Sequence, residues 1–196
     1  MDVVNSKMLR TMLAFFFLTP CLFMSCSPKP RAPESVLDTP EHHVTSGMKL
    51  LDKNYLLDAK REFELALQLD PNYSDADRGL GLTYGMEKKF EPAFESMRKA
   101  RDTAETNRQK AMAYVGFMRL YTMEQGDRWL DRVKTAFSDA LQHQKDLPDA
   151  YFYMGLAYKE ANLPSEAGTA FRRVLEINKE LVTESQNELK SLSTPR

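Results

Sequence analysis

The sequence predicts an all-α chain of stacked helix pairs, and three observations carry that prediction. Small and large residues recur at an interval of 34: Ala59, Phe63 and Ala66 are followed by Ala93, Met97 and Ala100. Gly47 and Leu50 are matched at the same interval by Gly81 and Tyr84. The composition is rich in Ala, Leu, Met, Glu and Lys, with 8 glycines in 196 residues, which favours helix throughout. A small residue at constant phase lets two helix axes approach closely. The large side chain one turn on then fills the space beside that contact.

Composition also removes several functions. The length fits one domain of ordinary size. Lys and Arg number 27 against 28 Asp and Glu, so no strong field points to nucleic acid or to a polybasic membrane surface. Both cysteines, Cys21 and Cys26, lie near the start, which leaves the folded part without a disulfide framework or a cysteine-based metal or redox site. His42, His43 and His143 are too scattered for a metal-ligand set, and no Gly-rich phosphate loop, HExxH or GxSxG appears. The chain reads as a non-enzyme, with no catalytic residue, metal or cofactor assigned.

Residues 1–25 read as a leader. Lys7 and Arg10 precede an apolar run, Met12 to Met24, whose 13 residues fall short of the roughly 18 of a membrane span. Met8 is an alternative start. The leader ends Leu22-Phe23-Met24-Ser25-Cys26. This resembles a bacterial lipobox, although Phe23 stands where leucine is usual. The resemblance implies an acylated Cys26 as the first mature residue and, with Ser27 rather than Asp after it, delivery to the outer membrane facing the periplasm. More than one acyl chain anchors stably where a single chain does not. Residues 26–40 form a tether in which Pro28, Pro30, Pro33 and Pro40 hold the backbone extended. At about 3.1 Å per residue it reaches about 40 Å.

The repeats occupy residues 41–181. Repeat one spans about Pro40 to Tyr73, with a first helix through Gly47, Leu50 and Leu51 and a second, carrying Ala59, Phe63, Ala66 and Leu69, that stops before Pro71. Repeat two opens at Ser74, an N-cap candidate with Asp77 three residues on, and carries Leu80, Gly81, Tyr84, Ala93, Met97 and Ala100. Repeat three is irregular. Helix runs from about Asn107 to Glu124, Gln125-Gly126-Asp127 breaks it, and Phe137 lies 40 residues beyond Met97, an insertion of about one and a half turns. Gly116 is the close-contact candidate there, while a second register places Tyr114, Phe117 and Tyr121 on the packing face, and both stay open. Repeat four recovers the pattern with Tyr151, Gly155, Tyr158, Ala167 and Phe171, its second helix opened by Pro164. Residues 182–196 are a capping helix and tail with an apolar stripe, Val182, Leu189 and Leu192, continuing from Leu181.

A 34-residue helix pair with these signature residues strongly resembles the tetratricopeptide repeat. The resemblance implies an α-solenoid of about four repeats plus the capping helix, with first helices lining a concave groove. Carried over position by position, the groove phase selects Val44, Met48 and Leu51 in repeat one, and Asp75, Arg78, Leu82 and Met86 in repeat two. The Gly116 register adds Lys110, Ala113, Phe117, Leu120 and Tyr121. Repeat four adds Asp149, Phe152, Leu156, Lys159 and Glu160. The sharpest candidates are Met48, Leu51, Arg78, Leu82, Met86, Phe117, Tyr121, Phe152 and Lys159. This trough, apolar with charged ends, suits a peptide or amphipathic helix of another protein. Two functions follow. One is a lipid-anchored adaptor of the envelope, by analogy a pilotin assisting an outer-membrane or pilus complex. The other is a peptidoglycan- or ligand-linked module regulating a cell-wall enzyme.

Overall fold

The computed structural model describes residues 30, 32 and 38–193. The leader, Cys26, most of the tether and the last three residues lie outside them. The described residues form nine helices and no strand: α1 (Pro40–Asp52), α2 (Leu56–Leu69), α3 (Ser74–Met86), α4 (Phe90–Asp102), α5 (Asn107–Glu124), α6 (Trp129–His143), α7 (Pro148–Glu160), α8 (Pro164–Ile177) and α9 (Val182–Ser193). None of them is long and apolar enough to cross a membrane. The first eight pack as pairs, α1 with α2 through α7 with α8, while α1, α3, α5 and α7 also touch in series. The first helices α1, α3, α5 and α7 thus form an inner wall, and α2, α4, α6 and α8 stand outside it.

Local chemistry sets the ends. Thr39 caps α1, its hydroxyl oxygen accepting from His42 N–H at 3.2 Å, and Pro40, Pro148 and Pro164 occupy first-turn positions where no intrahelical N–H bond is lost. Ser74 is not the cap of α3. Tyr73 takes that place without a side-chain bond, and Ser74 Oγ instead donates to the Ala100 carbonyl at 2.7 Å, tying α3 to the end of α4. Within repeats one, two and four the turn is one unit with a left-handed residue at Asn54, Lys88 and Asn162. The N–H of the next residue, Tyr55, Lys89 or Leu163, donates back to Leu50, Tyr84 or Tyr158, each at 2.9 Å.

The core is large rings set against glycine. Phe63 is fully buried, and a Cβ on Gly47 would fall 2.6 Å from its ring, with Gly79 of α3 closing the other side even more tightly. Phe171 meets Gly155 in the same way at 2.6 Å. Full burial of one such ring is worth about 1.5–3 kcal/mol. Met97 takes the place of the ring in repeat two, between Gly81 and Gly116.

Gly116 therefore corresponds to Gly79, which faces the preceding repeat, and not to Gly81, which faces its own. That spacing is 37. It also relates Tyr84 to Tyr121 and Tyr121 to Tyr158, and the left-handed Lys88 to Gln125. Part of the repeat-three insertion is an extra turn at the start of α5, capped by Thr106 and Gln109 in a reciprocal box. The rest lies in the α5–α6 turn, which runs on to a second left-handed residue, Arg128. Met118, fully buried, stands 37 residues from both Gly81 and Gly155. Here α5 brings its own bulk to the place where other first helices leave room for a ring. Phe137 is accordingly only half-buried, edge-on to Tyr151 at 5.2 Å.

Two ionic arrangements tie elements together. Asp77 of α3 is buried and 3.1 Å from Lys99 of α4; burial raises its pKa, and Lys99 offsets part of that rise. His43 of α1 is held between Glu62 Oε2 of α2 and Asp38 Oδ1, each at 2.8 Å. Burial alone would lower its pKa, but the hydrogen bonds to Asp38 and Glu62 outweigh burial and raise it.

Candidate functional site

The inner wall carries a small pit of about 70 Å³. Met48 of α1 and Leu82 of α3 meet Met112 and Val115 of α5 there, and Arg78, Arg119, Asp149 and Tyr153 complete the lining. The Arg119 guanidinium lies over the Tyr153 ring, 4.7 Å from its centre. Arg78 donates from Nε and Nη2 to Asp75 Oδ1, at 3.1 and 3.0 Å. Asp149 has one buried carboxylate oxygen without a partner, and burial raises its pKa. An apolar base with two planar cations beside it suits a segment laid across the wall, one side chain in the pit and its carboxylates or carbonyls toward the arginines.

A second concavity lies outside. The helices α4 and α6 each pack on α5, and the cleft between them measures about 560 Å³. Phe94 of α4 stacks on Phe117 of α5 with centroids 6.4 Å apart, and Phe117 stacks on Tyr121 at 6.1 Å. Arg132 of α6 covers Tyr121 at 4.1 Å and Phe94 at 5.7 Å, its Nη1 3.4 Å from Glu124. One repeat on, Phe137, Tyr151 and Tyr158 line a cleft of about 680 Å³ with residues of α8.

No protein-family model matches the sequence, and no curated protein matches it. Solved structures do. TTC0263, a thermophilic TPR protein of Thermus thermophilus, overlays with a TM-score of 0.60 at 20% identity, covering 78% of this chain and 80% of its own. A chain of the APC/C hetero-tetramer Cut9-Hcn1 overlays at 0.58 with 15% identity, over 80% of this chain and 30% of that one. With the glycine–ring pairs and the paired helices, these decide the architecture. The fold is that of the tetratricopeptide repeat. At such identities the likeness is one of fold.

Within the tetratricopeptide array, the expected groove residues separate. Met48, Arg78 and Leu82 come together in the pit, Leu82 as a floor residue only 1% exposed. Met86 is half-buried at the end of α3, outside the pit, and Leu51 is core at 2% exposure. Phe117 and Tyr121 do not face the groove; they floor the outer cleft. Ala113 and Leu120 are fully buried. The Gly116 register is displaced from the observed one, since the 37-residue spacing carries Asp75, Arg78 and Leu82 to Met112, Val115 and Arg119. Phe152 is packed with Ala167, Phe171 and Val174 under Leu181, Leu189 and Leu192, so the end of the chain covers it. Lys159 is paired with Glu188 of α9 and donates to Ser191 at 3.3 Å. The sequence reading missed Met112, Val115, Arg119 and Tyr153. The even spacing of Tyr84, Tyr121 and Tyr158 was the signal that would have found the first three; Tyr153 stands at the phase of Gly79 and Gly116, and no such signal marks it.

Proposed function

We propose that this chain is a scaffold of the bacterial envelope, held at the outer membrane through an acylated Cys26 and binding another envelope protein across its inner wall. The observation that carries the binding reading is the convergence of Met48, Leu82, Met112 and Val115 with Arg78 and Arg119 from three successive first helices. An apolar seat flanked by cations selects a partner segment with an aliphatic side chain next to carboxylates or a helix C-terminus. The anchoring reading rests on the sequence around Cys26 and on the proline-rich stretch after it. A tether of that kind keeps the array near the bilayer while leaving the inner wall free. Placement of this kind suits a pilotin-like role in assembling an outer-membrane or pilus complex.

The test uses the full-length protein in its bacterial host. Cys26→Ser should move it from the detergent-extracted membrane fraction to the soluble periplasmic fraction. Affinity capture should return one stoichiometric protein, lost with Met112→Glu and retained with Phe152→Tyr. Capture unaffected by Met112→Glu and by Arg119→Glu would remove the inner wall as the binding surface. A Cys26→Ser protein that stays with membranes would remove the anchor.

A further inference from the structure

We propose that the outer cleft between α4 and α6 is a second docking site, taking an extended segment of another protein in which acidic, aromatic and basic side chains occupy alternate positions. The inference stands apart from the inner-wall reading, because the two surfaces share no lining residue.

The cleft is polar along its length. Glu91 and Arg98 both line it from α4, seven residues apart and therefore on one helix face about 10.5 Å apart along the axis. Both are exposed, and neither has an ion-pair or hydrogen-bond partner among the described residues. Phe94 lies between them, with its ring on the Phe117 and Tyr121 stack. Arg101, at the Arg98 end, is already held by Asp102 at 2.8 Å and lies 6.0 Å from the centre of the Phe117 ring, so Arg98 is the open cation there, across the cleft from Asp139 on α6. At the other end Glu91 and Glu124 outnumber Arg132, which is already turned onto the Tyr121 ring.

Phe94 and Phe117 are only 9% and 6% exposed, so an occupant that matches this pattern presents an acidic group toward Arg98, a ring or aliphatic group toward the half-buried Tyr121 and the exposed edge of Phe94, and a basic group toward Glu91. In an extended segment, side chains at alternate positions share one face, and four residues span about 13 Å. Flexible charged side chains close the difference from the helix spacing. A helix dipole or a uniformly acidic peptide fits less well, since one end of the cleft would repel it.

The probe is a fluorescently labelled, end-blocked peptide, Glu-Ser-Phe-Ser-Lys, titrated by anisotropy into the full-length protein in detergent. Saturable binding is expected. Arg98→Glu should weaken it by about tenfold or more, and a second peptide with lysine in place of the glutamate should recover most of that loss on the variant. Arg98 is exposed, so its variant should melt like the parent; Phe117→Ala, which removes floor, serves as a second check. Met48→Glu should leave the titration unchanged. Absence of saturable binding would overturn the proposal, as would an Arg98→Glu variant that binds both peptides like the parent. Loss through Met48→Glu alone, or peptide-independent self-association of the protein at this face, would overturn it too.

Discussion

Gly155 and Gly168 show how one methyl group can act with opposite sign on neighbouring helices. A Cβ on Gly155 would sit 2.6 Å from the Phe171 ring, which is fully buried and has nowhere to move. Gly155→Ala should cost about 1–3 kcal/mol, as overpacked cores do. On Gly168 the nearest atom is 3.3 Å away, at the far end of the exposed, flexible Arg172 side chain, whose Nη2 donates to Thr169. Gly168→Ala should therefore stabilise by about 0.5–1 kcal/mol through helix propensity. Urea denaturation of the two variants measures both signs. His43 supplies a pH dependence. Its folded pKa lies above the ordinary 6.5, through Asp38 and Glu62, with the His42 ring edge-on beside it. The stability it contributes is fully present below pH 6.5 and is lost as pH rises through the folded value. Thermal melts from about pH 6 upward should fall more steeply for the parent than for His43→Gln. The signature positions Phe63 and Phe171 were legible because glycine and ring alternate there without interruption. The pairing of His43 was not, since its partners lie 5 and 19 residues away at no repeating phase.

At the scale of elements, the bounds of α5 were readable from Asn107 and Glu124, but its rotation was not. A glycine at position 116 was consistent with facing either its own repeat or the preceding one. Only the bulk of Met118, and the turn that continues past Gln125 to Arg128, decide between them. That rotation delivers Phe117 and Tyr121 to the outer cleft and Arg119 to the inner wall. Of the apolar stripe, Leu181, Leu189 and Leu192 pack over the Phe152 and Phe171 cluster while Val182 is not among the packed residues, and the end helix thereby removes Phe152 and Lys159 from the groove. Stability in a stacked array is largely a sum of nearest-neighbour terms. Leu189→Glu should therefore loosen α8 and α9 selectively, at a cost of about 1–3 kcal/mol. Hydrogen exchange should show lost protection in those helices and unchanged protection in α1 to α4. A uniform loss across the chain would mean that the array unfolds as one unit.

For the whole molecule, α1, α3, α5 and α7 form one wall because the small residues of each pair let the second helices stand outside. This leaves an inner face assembled from three or more repeats and outer clefts assembled from two. The arrangement suits a protein that holds another one. The interval of 34 made the stack legible; what the stack holds depends on side chains whose positions recur at 37 but whose identities do not, as Asp75, Arg78 and Leu82 become Met112, Val115 and Arg119. The most direct test is photocrosslinking in the host cell from single photoreactive residues at Met48, Met112 and Arg119, with Leu57, 79% exposed on α2, as the control. The account expects the same discrete adduct from all three inner positions and none from Leu57. Adducts from Leu57 alone, or different adducts from each inner position, would contradict it.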